Sequence, residues 1–478
     1  MMDLLYGLPT WVYWVIVTGY FVTILSLVAI IVSENRNPLK SLAWVTVLIL
    51  FPVGGLILYI FFGRSIKNQH LISRRNKRRL LRRDSRLTDQ RELKNFSQDN
   101  RQLSSMTKSL GGSGLYTANQ VEVFSSGHEK FKRLKEDLRS ARKYINLQYY
   151  IFEDDEIGTE IADILIEKAS SGVEVRVIYD HIGSIHVKNS FFRRMREAGI
   201  QVFPFFRVAF PVFGSRINWR NHRKLTIIDG RVGYIGGMNI ADRYITGGKF
   251  PKWRDLHLRI SGPAIEALQY SFAVDWNFMG QPLIENAIAD NLENASGSGL
   301  QFLSSGPTSA WSNLAMVFMK AITLAKKRVY IQTPYFLPTE GLLKALQAAA
   351  LAGVDVRVMI PRHSDSKIMT YASYSYVTES LRAGVKIYLY EGGMLHSKMM
   401  LVDDDWSTVG STNFDFRSFE HNFECNMFIY SAEMNRRLLK IFQEDMTESV
   451  RVNQTLWRRR PVPQRAFESL VRLLSPIL

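Results

Sequence analysis

The segment Asn221-His222-Arg223-Lys224-Leu225-Thr226-Ile227-Ile228-Asp229-Gly230 is followed shortly by Gly236-Gly237-Met238-Asn239. The pattern recurs as His396-Ser397-Lys398-Met399-Met400-Leu401-Val402-Asp403 with Gly410-Ser411-Thr412-Asn413. In both copies a His is followed by a Lys two residues on, an Asp five after that and an Asn ten after the Asp. The apolar run between Lys and Asp reads as a buried strand. Period two on a strand puts His222 with Lys224, and His396 with Lys398, on one face. The Asp falls an odd number of residues from both and is expected to close the strand end. A lone His-x-Lys is usually surface decoration. Two copies with matching Asp, Gly and Asn point to one composite site holding two histidines in complementary roles.

Outward from the motifs, the chain repeats itself. Tyr144-Ile-Asn-Leu-Gln-Tyr-Tyr-Ile-Phe152 precedes a helix-like run to Ser171 and then Gly172-Val-Glu-Val-Arg-Val-Ile-Tyr179. Arg328-Val-Tyr-Ile-Gln-Thr-Pro-Tyr-Phe336 precedes a helix-like run from Gly341 to Ala352 and then Gly353-Val-Asp-Val-Arg-Val-Met-Ile360. Strand, amphipathic helix, Gly turn and strand make the rhythm of an α/β fold with a mixed, largely parallel sheet. Two such units, 119–298 and 299–478, are expected to face each other across a shared site. Asn-Ala-Ser-Gly-Ser-Gly between Ile288 and Leu300 reads as their linker. Cys425, the one cysteine, excludes an internal disulfide and a cysteine-based zinc cluster, and reads as a small buried apolar residue.

The N-terminal part has a different character. Residues 11–32 carry no charge, and a second uncharged run covers 41–62, interrupted by Pro52 and Gly54-Gly55. Each is long enough to cross a bilayer core of ~30 Å at ~1.5 Å per residue. The expectation for 1–63 is a two-helix transmembrane hairpin. Residues 64–118 then form a basic juxtamembrane linker, with Arg74-Arg75-Asn76-Lys77-Arg78-Arg79 and further arginines to Arg91. Net charge is +17 and the pI is near 9.7. That balance suits an anionic partner, lipid or nucleic acid. A basic cluster beside a span favours anionic headgroups and a cytoplasmic location, so no nucleic acid is expected. Two segments keep two readings each. Val202 to Phe213, with five phenylalanines and two prolines, is either a loop packed on the sheet or a membrane or acyl-chain contact. Ala466 to Leu478 is either an amphipathic surface helix or a core helix.

The chemistry follows from the residue types. A phosphodiester repels nucleophiles, so its site needs positive charge, a nucleophile that tolerates phosphorylation and a proton donor for the leaving alkoxide. One neutral imidazole can attack phosphorus while the other, protonated, donates. Lys224 and Lys398 would neutralise the non-bridging oxygens, with Asn239, Asn413 and Ser411 as uncharged donors. Asp255 and Glu424, which follow the motifs at comparable distance, are candidates to fix a histidine tautomer; plain surface carboxylates are the alternative. No carboxylate–histidine cluster calls for a metal, so neither a metal nor another cofactor is expected.

His222/Lys224/Asp229 and His396/Lys398/Asp403, each with its Gly-x-x-Asn tail, resemble the paired His-Lys-Asp motifs of the phospholipase D superfamily. Gly237 departs from the pattern, where that superfamily usually has the serine found here as Ser411. The double apolar segment with Asn35-Arg36-Asn37-Pro38 and Ser41-Leu42-Ala43-Trp44, then the basic run, resembles bacterial cardiolipin synthases over essentially the whole chain. The resemblance implies two tandem phospholipase D-like units in a multi-pass protein of the bacterial inner membrane, with a cytoplasmic catalytic part. It implies that one histidine expels glycerol from phosphatidylglycerol and that a second phosphatidylglycerol resolves the phosphohistidine to cardiolipin. It places His222 as nucleophile and His396 as acid then base, an order the near-symmetry allows to be reversed. Asp229 and Asp403 complete its catalytic sextet. The rivals are a hydrolase using water, a transferase with another alcohol, a membrane-tethered nuclease and a lipid-binding scaffold.

Overall fold

The structure is a computed structural model that describes residues 9–33, 38–59, 71, 73, 75–76, 96–207, 218–284 and 297–475. Asn35-Arg36-Asn37, nearly all of the basic cluster, most of the linker between the halves, residues 208–217 of the phenylalanine-rich stretch and the last three residues lie outside this set. Two compact units emerge, one of residues 1–65 with 208–218, the other of 66–207 with 219–478.

In the first unit, Thr10–Ser33 is an α-helix that is apolar on every side. Its window Thr10–Ala29 is the one described helix long and apolar enough to cross a membrane. Trp11, Trp14, Phe21 and Leu25 stand exposed on it, an arrangement that suits apolar surroundings. The second apolar run breaks where Pro52 interrupts it in the sequence. It is two helices, Pro38–Leu50 and Pro52–Leu58, separated at Phe51. Proline lacks the N–H that would continue the first helix, yet its fixed φ suits the first turn of the next. Neither piece, over the described residues, has by itself the length of a span. Trp44 packs edge-on against Tyr59 at 5.3 Å between centroids, and Leu48 is buried beside them.

The second unit is built on one fifteen-stranded sheet. In spatial order its strands are Ser449–Arg451, Lys386–Tyr390, Asp355–Pro361, Arg328–Gln332, Met399–Val402, Trp406–Gly410, Glu424–Tyr430 and Ser298–Ser305, then Tyr116–Phe124, His257–Ser261, Val232–Gly236, Leu225–Ile228, Tyr144–Tyr149, Glu174–Asp180 and Gln201–Phe205. Leaving aside the edge strand Ser449–Arg451, the order reads the same from either end, so the two halves are related by a pseudo-twofold. They meet where Ser298–Ser305 pairs antiparallel with Tyr116–Phe124, joining edge to edge in one sheet.

The sheet is mixed, but the expectation of largely parallel pairing is corrected. Parallel pairing in it is confined to the strand–helix–strand crossovers of each half, Tyr144–Tyr149 through Gln201–Phe205 and Arg328–Gln332 through Lys386–Tyr390. Each motif strand instead leaves through a tight Asp turn and forms a hairpin, which is antiparallel by construction. Three further boundaries differ from the sequence reading. Gln98–Ser109, placed in the linker, is a helix whose Leu103 enters the core of the second half. Val202 to Phe205 belongs to a strand, where Pro204 is tolerated because the strand is an edge. The C-terminal segment forms a helix over Val462–Arg472. Cys425 is fully buried, as its small apolar reading required.

Candidate active site

The motif strands begin only at Leu225 and Met399, so each His and Lys sits in the extended lead-in rather than inside the strand. Those lead-ins do not pair within their own half. The His222 backbone N–H donates to Phe423 O at 2.9 Å and Phe423 N–H donates to Arg220 O at 2.8 Å. In the same way, Met394-Leu395 pairs in parallel with Trp253-Arg254, and His396 N–H donates to Arg254 O at 2.6 Å. Each histidine is therefore set beside the residue that follows the paired segment of the other half.

The carboxylates are consequently exchanged. His222 Nδ1 lies 2.9 and 3.1 Å from the two oxygens of Glu424. His396 Nδ1 lies 2.6 Å from Asp255 Oδ2. Glu424 and Asp255 are fully buried, and each ring keeps about a tenth of its side chain open. A carboxylate on Nδ1 holds the ring with its proton there, which leaves Nε2 as a bare lone pair. Both rings line one cleft of about 310 Å³, together with Tyr150, Arg220, Asn239, Arg243, Tyr244 and Trp253 from the first half and Tyr335, Asp365, Met369, Asn413, Arg417 and Asn422 from the second.

The supports of the two carboxylates differ. Glu424 accepts from the Ser411 hydroxyl and, at 3.3 Å, from Asn422 Nδ2. Gly237 stands in the place equivalent to Ser411: Gly237 N–H donates to Leu256 O and Ser411 N–H to Cys425 O, at 2.8 and 2.9 Å. A Cβ at 237 would come within 2.7 Å of Asp255 Cγ and closer still to Oδ1. The missing serine thus leaves the room in which the shorter carboxylate lies. Ser411, expected on a substrate phosphate, is fully buried and spends its hydroxyl on Glu424 and the Cys425 backbone.

Lys224 and Lys398 are buried next to the two histidines. Lys224 Nζ donates to His222 O at 2.6 Å, and Lys398 Nζ approaches His396 O and, at 2.7 Å, His396 Nδ1. Burial lowers the ammonium pKa of Lys224 to about 7 and of Lys398 to about 8, against the attraction of Glu424 and Asp255. Burial also lowers the His222 pKa to about 4, with Glu424 opposing it and Lys224 assisting. His396 is lowered by burial and by Lys398. Burial alone would raise Glu424, but His222, Lys224 and Ser411 outweigh it and hold its pKa below the ordinary value.

Asp229 and Asp403 are not in the cleft lining. Each sits in the turn at the far end of its strand with φ near +50°, at 52° and 49°. The Asp229 carboxylate accepts backbone N–H groups of Arg142, Lys143 and Tyr144 at 2.7–2.8 Å. Asp403 does the same for Lys326, Lys327 and Arg328. They close strand ends, as their spacing indicated, and tie the end of the motif strand to the start of its antiparallel neighbour, Tyr144–Tyr149 in the first half and Arg328–Gln332 in the second. Asn239 lines the cleft, with Oδ1 accepting from Ile151 N at 3.1 Å and Nδ2 donating to the Tyr244 hydroxyl at 2.8 Å; Asn413 lines it also.

The sequence reading missed the cleft's arginines and tyrosines. Arg220 pairs with buried Asp180 at 3.3 Å, and Asp180 Oδ2 also accepts from Asn221 N at 2.9 Å, so one carboxylate sets two residues next to His222. Tyr335 donates to Asp365 at 2.6 Å. Tyr150 and Tyr335 sit just past the carboxyl ends of equivalent parallel strands, where α/β sheets bind ligands, and that position was the available signal.

Comparison with known proteins accords with this geometry. The family described as "Cardiolipin synthase, PLD-like domain" matches residues 134–273 and 318–446, and "Phospholipase D-nuclease N-terminal" matches 21–64. The major cardiolipin synthase of Bacillus subtilis is 39% identical over 471 residues, covering 96% of this chain and 98% of that protein. A cardiolipin synthase of Listeria monocytogenes is 40% identical over 458 residues, covering 93% and 95%. Among solved structures, phosphatidylserine synthase of Haemophilus influenzae superposes with a TM-score of 0.56 at 16% identity, covering 75% of this chain and 95% of that one, a likeness of fold.

Proposed function

The chain belongs to the family of cardiolipin synthases with phospholipase D-like domains, and we propose that it condenses two phosphatidylglycerol molecules into cardiolipin and glycerol through a phosphohistidine. It is a phosphatidyltransferase of phospholipid synthesis. The observation that supports the mechanism is the exchange of carboxylates, His222 with Glu424 and His396 with Asp255, on two rings that line one cleft.

In the first step His222 Nε2 attacks phosphorus, the bond to the headgroup glycerol breaks, and His396 gives that oxygen a proton. With a pKa near 4, His222 is neutral at pH 7 and has its lone pair available. An incoming phosphodiester anion favours the protonated forms of His396, Lys224 and Lys398, because an opposite charge at close range opposes the burial penalty. Arg220, Arg243 and Arg417 add positive charge around the non-bridging oxygens. In the second step the terminal hydroxyl of another phosphatidylglycerol loses its proton to His396. Its oxygen attacks phosphorus, the P–N bond breaks and neutral His222 returns. Two phosphodiesters enter and two leave, so the covalent intermediate conserves the bond energy and no nucleotide is consumed.

The N-terminal helices are assigned to the bacterial cytoplasmic membrane, the catalytic unit to its cytoplasmic face. The apolar helix Thr10–Ser33 supports membrane residence, and the arginines that begin at Arg64 support the orientation. The broken segment 38–58 enters the membrane without crossing it as a single straight span. Incubation of the full chain with phosphatidylglycerol as the sole lipid tests the reaction. Cardiolipin and glycerol in equal amounts are expected; phosphatidic acid without cardiolipin refutes the synthase reading.

A further inference from the structure

The helix Val462–Arg472 buries one apolar residue, Val471, and one charged residue, Glu468, and leaves most of its apolar side chains outside. Its packed face carries a charge: Glu468 is 3% exposed and receives Arg460 Nη1 at 2.6 Å, Arg460 Nη2 at 2.9 Å and Gln464 Nε2 at 3.1 Å. Its outward face is apolar: Val462, Phe467 and Leu470 are 65%, 45% and 61% exposed, and the following Leu473 and Leu474 are 75% and 43% exposed. Single exposed leucines are ordinary, but a contiguous row on one helix marks a contact surface. The row is rimmed by positive charge. Of the five arginines in residues 458–474, Arg460 is paired with Glu468 and Arg472 with Glu379, while Arg458, Arg459 and Arg465 stand exposed.

The place of this helix in the fold says what it touches. It packs on the helix Lys367–Ser375, with Phe467 edge-on to Tyr371 at 5.2 Å between centroids. That partner helix begins past the carboxyl end of the parallel strand Asp355–Pro361, and Asp365 and Met369 there line the cleft. Lys367 and Ile368, next to them, are exposed. The apolar, basic surface therefore runs from Leu473 to the rim of the cleft.

We infer that the outward face of Val462–Leu474, with Lys367 and Ile368, is a membrane-contact surface of the catalytic unit, which beds into an anionic bilayer and sets the cleft rim at the level of the lipid headgroups. Leucine and phenylalanine supply the buried area of such an interfacial helix, and arginines at its edge supply attraction to anionic headgroups. Charge complementarity favours lipid over a second copy of this strongly basic chain.

Cys425 is fully buried, so a single introduced cysteine can be labelled selectively. Leu470→Cys and Leu473→Cys in the full chain are labelled with an environment-sensitive fluorophore and reconstituted into vesicles of equal phosphatidylglycerol and phosphatidylcholine, or phosphatidylcholine alone. Ser171→Cys is the reference, at the sheet end remote from the cleft, where Glu174–Asp180 starts. The expected result is a blue shift and quenching by lipid-borne nitroxides at 470 and 473, stronger with phosphatidylglycerol, and neither at 171. No quenching at 470 and 473 overturns the inference. Protection that instead follows protein concentration in lipid-free detergent overturns it in favour of self-association. Equal quenching in the two vesicles overturns the electrostatic part. None of these readouts depends on which reaction the cleft performs. A double variant, Leu470→Glu with Leu473→Glu, is expected to slow turnover of vesicle-embedded lipid by roughly five- to tenfold while changing turnover of monomeric short-chain phosphatidylglycerol by less than about twofold. Equal losses on both substrates refute the membrane role.

Discussion

Replacing Gly237 by alanine adds one methyl group at a fully internal point of the site, directly against the Asp255 carboxyl group. The new Cβ would stand 2.7 Å from both Cγ and Oδ2 of Asp255. Carbon contacts settle at ~3.5–4.0 Å, so the carboxyl group must retreat by about 1 Å. It has no free direction: Oδ2 is 2.6 Å from His396 Nδ1 and Oδ1 accepts the Leu256 N–H at 2.7 Å. A 1 Å displacement of a positioning group costs ~10²-fold in rate, equivalent to about 2.7 kcal/mol of transition-state stabilisation. The expected outcome for Gly237→Ala is a kcat lower by about a hundredfold, with KM changed little, because the lost interaction belongs to the transition state. Overpacking is expected to cost a further ~1–3 kcal/mol of stability, which thermal denaturation reads separately. The assay is cardiolipin formation from radiolabelled phosphatidylglycerol in mixed micelles, normalised to folded protein. Gly237→Ser with Asp255→Glu rebuilds the arrangement of Ser411 and Glu424 in the other half and is expected to recover at least about tenfold over Gly237→Ser alone, as contacting pairs are non-additive. A kcat for Gly237→Ala within about twofold of the parent, in folded protein, refutes the claim that Asp255 sets His396.

The remaining predictions concern the two rings, the far aspartates and the two buried lysines. His222→Ala is expected to abolish both turnover and the acid-quenched phosphatidyl-protein adduct, a loss of more than ~10³-fold; an adduct surviving in His222→Ala but absent in His396→Ala reverses the assignment of roles. Asp229→Asn keeps one acceptor oxygen and a residue tolerant of positive φ, so it is expected to lose ~2–3 kcal/mol of stability with little change in kcat per folded molecule; unchanged stability with lost kcat would make Asp229 part of the chemistry. For pH, the folded-state pKa of His222 lies below its unfolded value, so the unfolded chain binds more protons between about 4 and 6.5. Stability from this group is complete above pH 6.5 and is lost as the pH falls toward 4, by at most about 3 kcal/mol, and His222→Gln should flatten that part of the profile. Lys224 and Lys398, lowered to about 7 and 8, are expected to impose a basic limb on kcat/KM between those values; a profile flat to pH 9.5 contradicts a role for their charge.

Local pattern was enough for a good part of this protein. Repetition of His-x-Lys with Asp and Asn at fixed offsets identified both rings, both ammonium groups and the two strand-closing aspartates. The strand–helix–strand rhythm identified the crossovers, and an uncharged run identified the helix Thr10–Ser33. These succeed because period, spacing and charge act within a few residues along the chain. The direction of strand pairing was not legible: a buried apolar strand is equally hydrophobic whether its neighbour runs parallel or antiparallel, and only the Asp turns after Ile228 and Val402 decide for a hairpin. The partnership at the site was legible still less. Glu424 follows His396 by 28 residues and Asp255 follows His222 by 33, so spacing suggests that each carboxylate serves the ring of its own half. Each serves the other, because the backbone segments Arg220-Asn221 and Leu395 pair across the pseudo-twofold joint with Phe423 and Arg254. The same crossing explains Gly237, whose missing side chain looks like a lost hydroxyl in one dimension and is the space for a carboxylate in three. Side chains that meet through strand order rather than along the chain leave no periodic trace, and here they hold both imidazole rings.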